Sequence, residues 1–288
     1  MTYTKFPRRT GVHFFSLGLL VAFLLFNSGF AFALPRADAP AAIDPTVPTL
    51  RVMSWNAYFL NKEPAAFFAE VEKLQPDVIA LQELSTLFTD AILEHLQDDY
   101  PYMELYPSKI PAGSAILSRY PFQSTTVPDY DEWHGCNCQI VTVQLENEVV
   151  TLINAHPWPP KVSLGGTGDL FNLFALDTTT QDPIFNQLLN RIAGATSPLL
   201  VVGDFNTMPF QPNIQRMTAQ LHDTFGEVGS GAGYTFPAQA TDHGLPPRPF
   251  MRIDYIFHDD AWTATGAWNG TISGSDHRYL VADLLLQP

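Results

Sequence analysis

The stretch Pro198-Leu199-Leu200-Val201-Val202-Gly203-Asp204-Phe205-Asn206 is an apolar strand that runs into a glycine, a carboxylate and an amide. Short apolar runs bounded by a turn signal read as buried strands. The construction recurs along the chain. Leu50-Arg51-Val52-Met53-Ser54-Trp55-Asn56 alternates as a strand does and ends in an amide. Val78-Ile79-Ala80-Leu81 is a buried strand leading into Gln82-Glu83, and Ile153-Asn154-Ala155-His156-Pro157 ends a strand in histidine. Ile253 to Phe257 is a strand that contains Asp254, and Asp276-His277 precedes a last strand from Tyr279 to Leu286. A carboxylate that ends a run such as Val78 to Leu81 is costly unless its charge is used. The chain therefore presents Asn56, Glu83, His156, Asp204, Asn206, Asp254, Asp276 and His277 at strand ends, where rigid scaffolds present chemistry.

Between these strands the pattern predicts few helices. Asn61 to Leu74 reads as a helix with Asn61 as N-cap, Pro64 in the first turn and Phe67, Phe68, Val71 and Leu74 on one face. Leu87 to Leu96 and Pro183 to Ile192 read as two more. Ala115 to Leu117, Ile140 to Leu145 and Val149 to Ile153 read as strands. Many strands with few helices point to a layered α/β sandwich rather than a doubly wound sheet.

The composition narrows the partners. Of 288 residues, 46% are hydrophobic and 15% charged, below the ~25% usual in soluble domains, so most of the chain is not disordered. Lys+Arg 15 against Asp+Glu 29 gives −14, which argues against a dedicated polyanion binder, because such proteins carry a basic face. At the N-terminus, Lys5, Arg8 and Arg9 precede an apolar stretch from about His13 to Ala33. Asn27-Ser28-Gly29 breaks that stretch, and Ala31-Phe32-Ala33 supplies a small-x-small cleavage signal. The order is that of a secretory signal peptide over residues 1–33. An uncleaved anchor is the rival, since the stretch approaches the ~20 residues that span a bilayer. Either places the domain outside the cytoplasm, and the anchor adds a membrane surface as a partner. Residues 34–49, rich in proline and alanine, read as an extended linker. Residues 50–288 form one domain-sized block, expected to be a monomer.

Taken in order, Ser54-Trp55-Asn56, the run ending in Glu83, Asn154-Ala155-His156-Pro157, Gly203-Asp204-Phe205-Asn206, Arg252-Ile253-Asp254-Tyr255 and Ser275-Asp276-His277 form a set that resembles the endonuclease/exonuclease/phosphatase superfamily. That group includes deoxyribonuclease I-like nucleases, inositol-phosphate phosphatases and sphingomyelinases. The resemblance spans roughly Arg51 to Leu286. It implies a four-layered α/β sandwich, with two mixed β-sheets packed face to face, and hydrolysis of a phosphoester that depends on Mg²⁺, Mn²⁺ or Ca²⁺. It implies Glu83 as principal metal ligand with Asn56 and Asp276 beside it, and Asp204 as the group that orients or deprotonates the attacking water. Asn206 would donate to a phosphate oxygen. His156 and His277 would bind the phosphate, and Asp254 would fix the tautomer of His277 and raise its pKa. The substrate stays open between nucleic acid, lipid and small molecule. A binding module that keeps the fold without the chemistry is the contrasting class.

Some nucleases of the superfamily place a glutamate near the position of Arg119-Tyr120 to pair with the first histidine. Ser118-Arg119-Tyr120-Pro121 offers no carboxylate, which leaves the partner of His156 open. Cys136 and Cys138 are too few for a disulfide scaffold, and packed thiols and a tight bridge both fit their spacing. The remaining histidines, His95, His134, His222, His243 and His258, lack motif context and read as surface or structural. The loop from Trp158 through Phe174 follows His156 directly and is expected to overhang the site.

Overall fold

The computed structural model describes residues 49–128, 135–163, 175–239 and 248–287. The expected export segment and linker up to residue 48, His134, His243 and residues 164–174 of the loop after His156 lie outside the described residues. Among the described residues no helix is long and apolar enough to cross a membrane.

Two six-stranded sheets carry the domain, and they are built alike. The first holds β1 (Thr49–Asn56), β2 (Val78–Gln82), β3 (Tyr102–Tyr106), β4 (Ser114–Ser118), β13 (Trp262–Thr271) and β14 (Arg278–Leu286), in the order β13-β14-β1-β2-β4-β3. The second holds β5 (Phe122–Thr126), β6 (Gln139–Leu145), β7 (Glu148–Ala155), β10 (Leu199–Asp204), β11 (His222–Asp223) and β12 (Asp254–His258), in the order β11-β12-β10-β7-β6-β5. The centre of each is a parallel pair, β1 with β2 and β10 with β7, flanked by antiparallel strands. A short ribbon pairs β8 (Lys161–Ser163) with β9 (Ala175–Asp177).

Side-chain alternation then fixes the layers. Leu50, Val52, Val78 and Ala80 of the first sheet share one core with Val150, Leu152, Leu200 and Val202 of the second. The intervening residues face outward. Met53, Trp55, Ile79 and Leu81 pack against α1 (Pro64–Leu74) and α2 (Thr86–His95). Ile153, Val201, Tyr255 and Phe257 pack against α3 (Asp182–Gly194) and α4 (Pro212–Thr218). The order helices, sheet, sheet, helices is the expected four-layered sandwich. Burying a large side chain from each strand contributes roughly 1.5–3 kcal/mol apiece, so three stacked cores stabilise every strand end that follows.

Local differences have simple causes. The first helix starts at Pro64, not Asn61, because the buried Asn61 side chain caps the turn before it, accepting from Glu63 N at 2.8 Å and donating to the Ala57 carbonyl at 3.1 Å. The α2 start is fixed by Ser85, whose hydroxyl accepts from Phe88 N at 3.3 Å. Strand β13 escapes the alternation pattern, since a register shift between Ala264 and Gly266 breaks its period. The two cysteines form a disulfide, with Cα atoms 5.1 Å apart. Arg119 lies at the end of β4 opposite the catalytic-type residues, because Ser118 pairs with Val78 and Ser114 with Gln82. The end near Glu83 carries Gly113 and Ser114, again without a carboxylate.

Gly203 is where the second sheet tolerates no side chain. Its φ is +142°, and a Cβ there would meet the Ala155 carbonyl oxygen of β7 at 1.9 Å. Gly203→Ala is expected to lower unfolding free energy by at least about 2 kcal/mol, read from urea melts, because β7 and β10 must part.

Candidate active site

The inward-facing row of each central strand is apolar until its last positions and polar there. Ser54 and Asn56 continue Leu50 and Val52. Gln82 continues Val78 and Ala80. Asn154 and His156 continue Val150 and Leu152. Asp204 continues Leu200 and Val202. All these side chains are buried. Asp254 opens β12 directly opposite Asp204, and Ser275 to His277 lead into β14 beside β1.

Beneath the site lies a polar floor. Gln82 Nε2 donates to Asn154 Oδ1 at 2.7 Å across the two sheets and to Ser54 Oγ at 3.2 Å, and Asn154 Nδ2 donates to the Leu81 and Ala115 carbonyls. Gln82 and Asn154 carry no role in the motif reading. The signal that finds them is parity: each is a polar residue at an inward position of a buried strand.

Above the floor the expected residues meet. Asn56 Nδ2 donates to Glu83 Oε1 and to Asp204 Oδ2, each at 3.0 Å, while its Oδ1 accepts from Tyr58 N. Asn56 thus turns its nitrogen, not its oxygen, to the carboxylates. Phe59 N donates to Glu83 Oε2 at 3.2 Å. Ser275 Oγ donates to the Asn56 carbonyl and accepts from His277 N, which anchors the Asp276-His277 turn to β1. Asp204 Oδ1 accepts from Asn206 N at 2.8 Å, and Asn206 Nδ2 donates to the Pro157 carbonyl at 3.0 Å, which leaves one amide N–H for another acceptor. Glu83 (φ 55°) and Asn206 (φ 50°) both sit in the left-handed region. For glutamate that costs about 1 kcal/mol or more, a strain that belongs to functional positions.

Two imidazoles flank Asp204. His156 Nε2 and His277 Nε2 each lie 3.6 Å from Asp204 Oδ2, and His156 Nε2 is 3.9 Å from Glu83 Oε1. His277 Nδ1 donates to Asp254 Oδ2 at 3.0 Å. Arg252 does not compete for Asp254, because it pairs with Asp223. Among the described residues His156 Nδ1 has no hydrogen-bond partner. Among the other histidines, His95 stacks on Phe68, and His222 and His258 stack on each other while sharing Glu227.

The sequence matches the Endonuclease/Exonuclease/phosphatase family over residues 53–277, most of the chain. The chain belongs to this family. It is a metal-dependent hydrolase of phosphoester bonds. None of the curated proteins matches it in sequence. Among solved structures, an endonuclease/exonuclease/phosphatase from Beutenbergia cavernae superposes with TM-score 0.62 at 24% identity, covering 83% of this chain and 72% of that one. D. rerio TDP2 with a single-strand DNA product gives 0.60 at 18%, covering 82% and 98%. The 3′ phosphatase NExo from Neisseria, bound to a product DNA hairpin, gives 0.61 at 18%, covering 81% and 98%. These likenesses establish the fold.

Electrostatics distinguish two places for the family's divalent ion. Asp204, Asp254 and His277 bring ligand-type atoms within 4.8 Å of one another. Yet His277 is the poorer choice. Burial alone would push its imidazole down, but Asp254 and Asp204 outweigh burial and lift it to about 10. A protonated ring offers a cation no lone pair. Burial pushes the Asp276 carboxyl up, and Glu83 adds to this against the pull of His277. Burial likewise raises Asp204. Crowded carboxylates that resist ionisation are what a bound cation relieves, and their hard oxygens suit Mg²⁺, Mn²⁺ or Ca²⁺. Glu83 and Asp276, close enough for Glu83 to raise Asp276, offer hard oxygens for the ion on the other side of Asp204. His156 differs from its counterpart: burial pushes its imidazole down despite Asp204.

Because the folded His277 pKa lies above the ~6.5 of an unfolded chain, its contribution to stability is complete below pH ~6.5 and is lost as pH rises through about 10. In metal-free protein, ¹⁵N NMR of the imidazoles is expected to show His277 protonated on both nitrogens at pH 8. In Asp254→Asn, where burial is less opposed, the ring is expected to be neutral there.

Proposed function

We propose that this protein is an exported, monomeric phosphoesterase that cleaves a phosphodiester or phosphomonoester by in-line attack of an activated water. The observation that carries the reading is the meeting of Glu83, Asp204 and two histidines around the Asn56 amide, at one end of the gap between the sheets.

Each group takes one task. Glu83 and Asp276 hold the divalent ion, with Asn56 beside them aligning Glu83 against Asp204. When bound, that ion neutralises phosphate charge and polarises the P–O bond. Asp204 takes a proton from the attacking water and sets its line of approach. Asn206 donates its second amide N–H to a phosphate oxygen. At 3.6 Å neither imidazole is hydrogen-bonded to Asp204, so both Nε2 atoms stay available to phosphate oxygens. His277, oriented and kept protonated by Asp254, gives its proton to the leaving oxygen. Beside the negative charge of a bound phosphate His156 takes up a second proton, and it then donates from Nε2 to a phosphate oxygen. The N-terminal basic-apolar-small order supports export or anchoring at a membrane surface.

A nuclease is the second reading, supported by the DNA products bound to two of the similar structures. The −14 net charge opposes a long duplex-tracking groove and favours a short end or a small ester. Exposed Leu60 and Phe210, on loops that follow Asn56 and Asn206, favour an amphiphilic ester such as a lipid phosphodiester.

A substrate panel decides among these. The chain lacking residues 1–33 would be assayed with Mg²⁺, Mn²⁺, Ca²⁺ or EDTA on DNA, RNA, sphingomyelin, inositol phosphates and bis-p-nitrophenyl phosphate. Turnover is expected to need metal, and Glu83→Ala is expected to lose at least about 100-fold while keeping its far-UV spectrum. Folded, metal-loaded protein that cleaves nothing, or a fully active Glu83→Ala, would overturn the reading.

A further inference from the structure

His156 enters the site with one ring nitrogen unaccounted for. Among the described residues its Nδ1 is buried without a hydrogen-bond partner, and so is Asn137 Oδ1. A buried polar atom left unpaired costs about 1–3 kcal/mol, so two such atoms of complementary kind at the same end of the sheet call for an explanation.

The topology sets them on adjoining ends of paired strands. Strands β6 and β7 are antiparallel, with Gln139 opposite Asn154. Asn137 lies two residues beyond Gln139, and His156 lies two residues beyond Asn154. Continued by two residues, the same register sets Asn137 against His156. Cys136 and Cys138 pack in the outer core with Ile153 and Ala155, and Asn137 is buried on the turn between them. Asn137 is 4% exposed and His156 5%. Of the other unpaired atoms at this end, Ser114 Oγ lies on β4 opposite Gln82, and the two amide oxygens belong to side chains that already bond elsewhere. Gln82 bonds Asn154, and Gln139 Nε2 donates to the Glu104 carbonyl.

We propose that Asn137 is the positioning residue for His156. Its amide oxygen takes the hydrogen bond of His156 Nδ1 through one bridging water. This stands in for the missing carboxylate and aims Nε2 at the space beside Asp204. The Cys136–Cys138 disulfide closes around Asn137 and holds its backbone at φ 45°, a conformation asparagine tolerates. The device is thus an amide on a covalently pinned turn. These are the only two cysteines of the chain, so a reductant acts at this one place.

This inference rests on the phosphoesterase reading, and the test separates the two. Asn137→Gly removes the amide while keeping the positive φ accessible. On full-length protein with bis-p-nitrophenyl phosphate and Mn²⁺, it is expected to lower kcat about tenfold with KM and Tm little changed, the loss usual for a group that orients a site residue. Asn137→Asp is expected to restore kcat. In a His156→Ala background, Asn137→Gly is expected to add nothing. Tris(carboxyethyl)phosphine is expected to lower wild-type kcat toward that of Asn137→Gly and to leave the variant unchanged. Independently of turnover, ¹⁵N NMR is expected to show a hydrogen-bonded His156 Nδ1–H that Asn137→Gly abolishes. An unchanged kcat and an unchanged Nδ1 signal in Asn137→Gly would overturn the proposal, as would an equal loss with and without His156. Wild-type protein that lacks metal-dependent turnover but shows the Nδ1 bond would sink the phosphoesterase reading alone.

Discussion

The Asn56 amide holds the site together. Its nitrogen donates to Glu83, on its own sheet, and to Asp204, on the facing one. Two carboxylates in a buried gap repel each other, and one neutral donor placed between them is the least costly way to keep them near without cancelling either charge. The rest of the sandwich serves that contact. Parallel pairs at the centre of both sheets bring strand C-termini to the same end. Three apolar cores clamp the strands, and the Gln82–Asn154 bond sets the distance between sheets just below the charges.

Around that amide the two histidines are matched in distance and opposite in environment. Both Nε2 atoms are 3.6 Å from Asp204 Oδ2. His277 has a carboxylate behind it and is lifted to about 10, whereas His156 has none and is pushed down by burial. A pair of imidazoles pushed apart in this way divides the labour of acid and phosphate binding. The asymmetry comes from the second ring nitrogen of each, not from the groups that face the substrate.

Most of the site was legible because it sits where regular strands end. Asn56, Glu83, His156, Asp204 and Asp254 each close or open an apolar run, and alternation alone puts all but Glu83 on the inner face. What stayed hidden depends on partners far away in sequence. The floor bond joins residues 82 and 154. The turn of Asn56 toward its carboxylates depends on the backbone at Tyr58. The Cys136–Cys138 bridge was one of two open choices. Strand β13 was invisible because its bulge and glycines erase the period, and the helix start moved three residues because Asn61 caps the turn before the helix.

The central claim is that a divalent ion sits on the Glu83–Asp276 side of Asp204 and that the Asp254–His277 pair remains a hydrogen-bonded acid. Anomalous diffraction from crystals soaked in Mn²⁺ tests it most directly. The account predicts a peak within about 2.5 Å of a Glu83 carboxylate oxygen, with the His277–Asp254 bond intact. A peak bound instead by Asp254 and His277, with that bond broken, would contradict it.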